Sequence, residues 1–149
     1  MRLTTFSDYT LRVLMYLALD RSRRVTIAEL GTAFGISENH LMKVVQDLSA
    51  AGVVETVRGR GGGLRLARAS EEIRLGAVIR RSEGEAPLVE CMSSHPSTCR
   101  IAPVCTLKGV LSDAFEALYE RLDRTTLADL VENRSPLLRA LSRTESTTC

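Results

Sequence analysis

Residues 26–66 read TIAELGTAFGISENHLMKVVQDLSAAGVVETVRGRGGGLRL, and this stretch decides the fold. Thr26-Ile27-Ala28-Glu29 is a capping box: the Thr26 hydroxyl accepts from the amide three residues on, and Glu29 reaches back. The short helix it opens ends near Gly35, a residue that tolerates the left-handed turn after a helix. Ser37 caps the next helix. Leu41, Val44, Val45 and Leu48 recur at i, i+3, i+4 and i+7, so this face must turn inward. The helix stops at Gly52, and the period then changes. Val53 to Val57 is β-prone, Arg58 to Gly63 is a turn, and Leu64-Arg65-Leu66 alternates as a return strand. A short helix, a glycine turn, a capped helix and a hairpin, in that order, make a winged helix-turn-helix.

Outward from that core, Ser7 is expected to cap a first helix from about Asp8 to Asp20, with Leu11, Leu14, Met15 and Ala18 on its inner face. Arg21 to Arg24 reads as a polar loop. Ser70, followed by Glu71 and Glu72, is expected to start a helix running to about Arg81. Residues 82–104 contain Pro87, Pro96 and Pro103 and read as a long irregular segment, of a length that is usually functional or disordered. A long helix is expected from about Cys105 to Leu122, and Thr126 caps a short one over Leu127 to Val131. The predicted class is mainly α with a small β-hairpin wing. A winged helix-turn-helix over residues 1–68 leads into a connecting helix and cysteine-rich loop over 69–104. A C-terminal dimerisation helix and helical segment span 105–141, and a flexible tail spans 142–149.

Charge agrees with a DNA-binding head. Residues 1–68 hold ten Lys/Arg and six Asp/Glu, a net of +4, whereas residues 69–149 hold ten and twelve, a net of −2. The basic half is the one that would meet phosphate. With its apolar face inward, the Ser37 helix presents Glu38, Asn39, His40 and Lys43 near its N-terminus, the end that enters the major groove. Asn suits adenine, and Lys suits guanine or phosphate. An ordinary solvated helix face would show the same residue types. The wing segment Arg58-Gly59-Arg60-Gly61-Gly62-Gly63-Leu64-Arg65 has three arginines and no acid. Arg58 and Arg60 are expected to reach the minor groove, with Gly61 and Gly62 letting the backbone approach closely. The glycine run is no phosphate-binding loop of the nucleotide-hydrolase type, because no Gly-Lys-Ser/Thr follows it and it opens no helix.

Cys91, Cys99 and Cys105 are spaced Cys-x7-Cys-x5-Cys, with His95 in the first interval. No apolar run is long enough to cross a membrane, and the N-terminus lacks a signal-peptide pattern. A cytoplasmic setting is therefore expected, where clustered thiols more often hold metal than form disulfides. Thiolates select zinc, Cu(I) or iron–sulfur clusters. Structural zinc sites usually use tight Cys-x2–4-Cys pairs, which are absent, so the wide spacing suits an iron–sulfur cluster better. Zinc, a thiol switch and buried structural cysteines remain the alternatives. A fourth ligand has to come from elsewhere: His95, Cys149 or an acid. The lack of Cys-x-x-Cys or a Cys/His/Asn signature argues against a thiol enzyme.

At this point the chain resembles the NsrR-like nitric-oxide-responsive repressors, a branch of the winged-helix iron–sulfur regulators that also include IscR. The resemblance spans about residues 1–138. It rests on residues 1–9, MRLTTFSDY; 37–45, SENHLMKVV; 57–66, VRGRGGGLRL; 99–108, CRIAPVCTLK; and 126–131, TLADLV. It implies a homodimeric repressor that holds one [4Fe–4S] cluster per subunit, binds an inverted-repeat operator in double-stranded DNA and responds to nitric oxide. A [2Fe–2S] cluster or zinc is the alternative occupant. It implies Cys91, Cys99 and Cys105 as ligands, with Asp8 contributed by the partner subunit. Helix-start charge complementarity alone would also account for an aspartate at position 8. Leu107, Val110, Leu111, Ala114, Leu118 and Leu122 would form the dimer interface. The first cysteine interval is longer than the family pattern. The histidine that follows the third cysteine in IscR-like members is missing from residues 106–112.

Overall fold

The computed structural model describes residues 2–84, 87, 89–93 and 98–142. In chain order the elements are α1 (Thr5–Leu19), α2 (Ile27–Phe34), α3 (Glu38–Ala50), β1 (Val54–Val57), β2 (Gly63–Leu66), α4 (Leu75–Glu83), α5 (Leu107–Asp123), α6 (Leu127–Leu130) and α7 (Arg134–Ser142). The mainly helical architecture with one antiparallel hairpin matches the expected class.

The helix-turn-helix forms as its residues dictate. Thr26 Oγ1 accepts from Glu29 N at 3.1 Å to start α2. Gly35 ends it at φ +65°, a conformation that costs a side-chain-bearing residue about 1–2 kcal/mol. Ser37 caps α3 through the His40 amide, and Leu41, Val44, Val45 and Leu48 are all buried. In the hairpin, Val54 pairs with Leu66 and Val57 with Gly63. Val25 adds a bridge to Leu64, donating to Leu64 O at 2.9 Å and accepting from Leu64 N at 2.7 Å. The wing is therefore stitched to the α1–α2 connector as well as closed on itself.

One continuous apolar core holds Val13, Leu14 and Leu17 of α1, Leu30 of α2, the inner face of α3, and Leu64 and Leu66 of the wing. It also takes in Ile73, Val78, Leu127 and Val131 from beyond residue 68.

Three expectations need correction. The first helix begins at Thr5, capped by Thr4, whose hydroxyl accepts from Ser7 N at 3.1 Å. Ser7 is fully buried inside the first turn instead of capping it. The inner face also differs from the one expected: Val13, Leu14, Leu17 and Ala18 are buried, while Leu11 and Met15 pack only partly against the core. Second, no single helix runs from Ser70 to Arg81. A 3-10 turn over Ser70–Glu72 is followed by extended Ile73 and Arg74 before α4. The break is tertiary in origin, because Ile73 O accepts from Leu127 N at 2.9 Å and Thr125 O accepts from Leu75 N at 3.0 Å. Third, the segment expected to be irregular contains two 3-10 turns, Glu90–Met92 and Ala102–Val104, and the long helix starts at Leu107, two residues after Cys105. His95 and Cys149, the ligand candidates, lie outside the described residues, as does the tail from residue 143.

Candidate DNA interface and metal centre

The α2–α3 turn sets the reading face. Ile36 is buried and donates to Gly31 O at 3.2 Å, which holds Ser37 at the head of α3. Ser37, Glu38, Asn39, His40 and Lys43 are exposed. The Ser37 hydroxyl lies 3.1 Å from His40 Nδ1, and the His40 ring faces Tyr9 of α1 with centroids 6.0 Å apart. His40 is thus braced from two sides, unlike Asn39 and Lys43. Met42, 46% exposed on the same face, was missed in the sequence. Its only signal is an apolar residue off the inward period, and its methyl group suits contact with a thymine methyl.

At the wing tip, Arg58, Arg60 and Gly61 are exposed, and neither arginine has a hydrogen bond or ion pair to another described residue. Gly62 N donates to Gly59 O at 2.9 Å, and a Cβ at Gly62 would collide with Val57 O. This turn requires glycine because backbone occupies the side-chain position.

The cysteine loop has more order than its composition suggested. Cys91 lies in the Glu90–Met92 turn, and Cys105 directly follows the Ala102–Val104 turn. Cys99 O accepts from Ala102 N at 3.2 Å. Glu90 Oε1 accepts from both Thr98 N, at 2.6 Å, and Thr98 Oγ1, at 2.9 Å. The residues just before Cys91 and Cys99 are therefore pinned together, which brings the two ends of the long first interval to one another. The three cysteines are half-buried and not joined by disulfides. Among the described residues of the single chain, no three His, Cys, Asp or Glu side chains converge on one point. Three half-buried thiols suit a soft metal, and the set needs a fourth donor. Asp8 stands 46% exposed in the first turn of α1, paired to Arg12 at 2.8 Å.

Helix α5 has no buried residue within the chain. Leu107 is 56% and Val110 63% exposed; Ala114 and Leu118 are also exposed, and Leu111 and Leu122 are half-buried. The stripe read as a dimer interface is therefore largely uncovered.

The last turn of α4 had no sequence signal. Four consecutive residues each grip a different partner there. Arg80 pairs with Asp123 of α5 at 2.6 Å and stacks over Tyr119, 4.4 Å from the ring centroid. Arg81 pairs with Asp47 of α3 at 2.8 Å. Ser82 Oγ lies 2.7 Å from Ser7 Oγ, and Glu83 Oε1 accepts from Thr4 N at 2.8 Å. The Arg80 guanidinium holds the Asp123 carboxyl below the usual carboxylate range. This turn, directly ahead of the cysteine loop, ties together the reading helix, the first helix and α5.

A family model described as Rrf2, an iron-dependent transcriptional regulator, matches residues 3–133. The chain belongs to the Rrf2 family. It is 47% identical over 138 residues to the HTH-type transcriptional regulator NsrR of Geobacillus kaustophilus, covering 92% of this chain and 94% of that one. Its identity to the NsrR of Bacillus subtilis is 44% over 146 residues, covering 97% and 100%. Among solved structures, IscR of T. potens superposes with a TM-score of 0.73 at 26% identity, covering 92% of this chain and 90% of that one. This Rrf2 protein is a DNA-binding transcriptional regulator of the NsrR group and not an enzyme. No helix among its described residues is long and apolar enough to cross a membrane.

Proposed function

We propose that this Rrf2 protein is a homodimeric repressor that senses nitric oxide through a [4Fe–4S] cluster. Cys91, Cys99 and Cys105 would hold the cluster with Asp8 of the partner subunit. The reading is carried by the hydrogen bonds from Thr98 to Glu90, which bring the residues just before Cys91 and Cys99 together. It is supported by the relatives' name and by the iron dependence of the family. When bound, the cluster supplies iron sites at which nitric oxide reacts.

The chain's own residues then do the rest. Asn39, His40 and Lys43 of α3 face the major groove of each half-site from the Ser37 cap, and Arg58 and Arg60 enter the adjacent minor groove over Gly61 and Gly62. The α5 stripe from Leu107 to Leu122 sets the spacing of two such heads on an inverted repeat. Asp8, when held by the partner's loop, fixes the start of α1. Once released, it removes one restraint from the first turn of α1, which keeps its ties to Ser82 and Glu83, and the half-site spacing relaxes.

The test begins with protein purified without oxygen. Iron and sulfide are counted, an operator is selected from a random duplex pool, and affinity is followed as nitric oxide is added. Iron and sulfide in the [4Fe–4S] proportion, with operator release on nitric oxide, are expected. Zinc in place of iron, or affinity indifferent to nitric oxide, overturns the reading.

A further inference from the structure

The connector Arg21–Arg24, between α1 and the bridging residue Val25, lies along one side of the wing, from its turn to Arg68 just beyond β2. Arg24 Nη1 donates to Gly61 O at 3.3 Å, and Arg21 Nη2 donates to Arg68 O at 3.1 Å. Between connector and wing is a polar cleft of about 440 Å³ lined by Arg21, Arg23, Arg24, Arg65, Gly61 and Gly62. Its four guanidinium groups are not equivalent. Arg23 is neutralised by Glu29, with Nη1 2.9 Å from Oε2, and by Asp20 at 3.5 Å. Arg65 is neutralised by Glu55 at 3.0 Å. Arg21 and Arg24 meet only backbone carbonyls and have no carboxylate partner among the described residues. The cleft thus has two uncompensated positive charges and, at Gly61 and Gly62, a wall without side chains that an anion can approach closely. The cleft adjoins the strand turn that carries Arg58 and Arg60.

We infer that Arg21 and Arg24 bind a backbone phosphate of duplex DNA beside the wing. The inference rests on the DNA-binding reading and adds a sequence-independent contact to it. Phosphate contacts of this kind fix register and orientation without reading bases. They also make affinity fall with salt, by about 0.9 in log–log slope for each phosphate neutralised. The same chemistry would suit free inorganic phosphate, so the experiment carries both arms.

Affinity for a mixed-sequence duplex and for a selected operator is measured across a salt series. The wild type, Arg21→Gln, Arg24→Gln and Arg124→Gln are compared, the last removing the same charge from the residue that follows α5. Thermal unfolding verifies that each variant folds. Expected for Arg21→Gln and Arg24→Gln is a slope shallower by about 0.9 per lost contact, with the same fold-loss on both duplexes, while Arg124→Gln matches the wild type. Equal slopes in all four proteins overturn the inference. So does a loss confined to the operator, or a melting shift with inorganic phosphate that Arg24→Gln abolishes while DNA binding is untouched. A wild type that binds neither duplex defeats the DNA-binding reading itself.

Discussion

The hydroxyls of Ser7 and Ser82 lie 2.7 Å apart and join the first turn of α1 to the last turn of α4. Ser7 is fully buried, so its hydroxyl must be satisfied inside the protein, and its neighbour Asp8 is the residue expected to reach the partner's cysteines. On the other side of the contact, two residues after Ser82, the chain leaves α4 at Gly84 for the cysteine loop. Neighbouring Arg81 holds α3 through Asp47. A displacement of α1 is therefore felt at the turn that positions the reading helix.

Removing the Ser7–Ser82 bond should cost about 1 kcal/mol, the net worth of a typical internal hydrogen bond. In urea denaturation, Ser7→Ala and Ser82→Ala should each destabilise, and the double variant should lose less than their sum. Strictly additive losses mean that the two hydroxyls are not coupled.

Cluster ligation by Asp8 across the dimer predicts complementation. Mixed dimers with Asp8→Ala in one subunit and Cys99→Ser in the other retain intact cysteines in the first subunit and Asp8 in the second. They should therefore assemble one cluster per dimer, read by iron and sulfide content. If Asp8 ligates within its own chain, or not at all, the mixed dimers behave no better than Asp8→Ala homodimers.

Val110 is 63% exposed on a helix with no buried residue. Val110→Asp should leave helicity and melting temperature nearly unchanged in the monomer. In a dimer it would set two carboxylates against an apolar seam. Sedimentation should show dissociation by at least about tenfold in Kd, or about 1.4 kcal/mol. An unchanged dimer would place the interface elsewhere.

Glu29 is held below the usual carboxylate range chiefly by its hydrogen bonds from Arg23, with the Tyr16 hydroxyl adding to the effect at 2.8 Å. The folded-state value is the lower one, so the stabilisation is fully present above the unfolded value and is lost as pH falls through the folded one. Relative to Glu29→Gln, the wild type should be most stable above about pH 5, and the difference should shrink steadily in more acidic buffer. A difference independent of pH between neutrality and about pH 3 contradicts the pairing.

The DNA-binding head was legible because its instructions are local. The inward period of α3, the caps at Thr26 and Ser37, and the glycine at Gly35 concern residues within about two helical turns of one another. The cap of α1 was misplaced because Thr4 and Ser7 are both competent caps, and only the burial of Ser7 against Ser82 separates them. The cysteines were visible as chemistry, but the order of their loop was not. Glu90 and Thr98 are eight residues apart with unremarkable composition between them.

By itself, the sequence determined the winged helix-turn-helix, the basic N-terminal half, the three closely spaced cysteines and an amphipathic α5. Those features follow from side-chain period, capping and backbone conformation, which act over one or two turns. Only tertiary structure decided that the helix from Ser70 breaks at Ile73, because the strand-like partner at Thr126 is more than fifty residues away. It also decided that Arg80, Arg81, Ser82 and Glu83 reach α5, α3 and α1, and that Arg23 and Arg65 are paired with carboxylates while Arg21 and Arg24 meet only backbone carbonyls among the described residues. Such pairings depend on chain closure over long separations, which leaves no local pattern in composition or spacing.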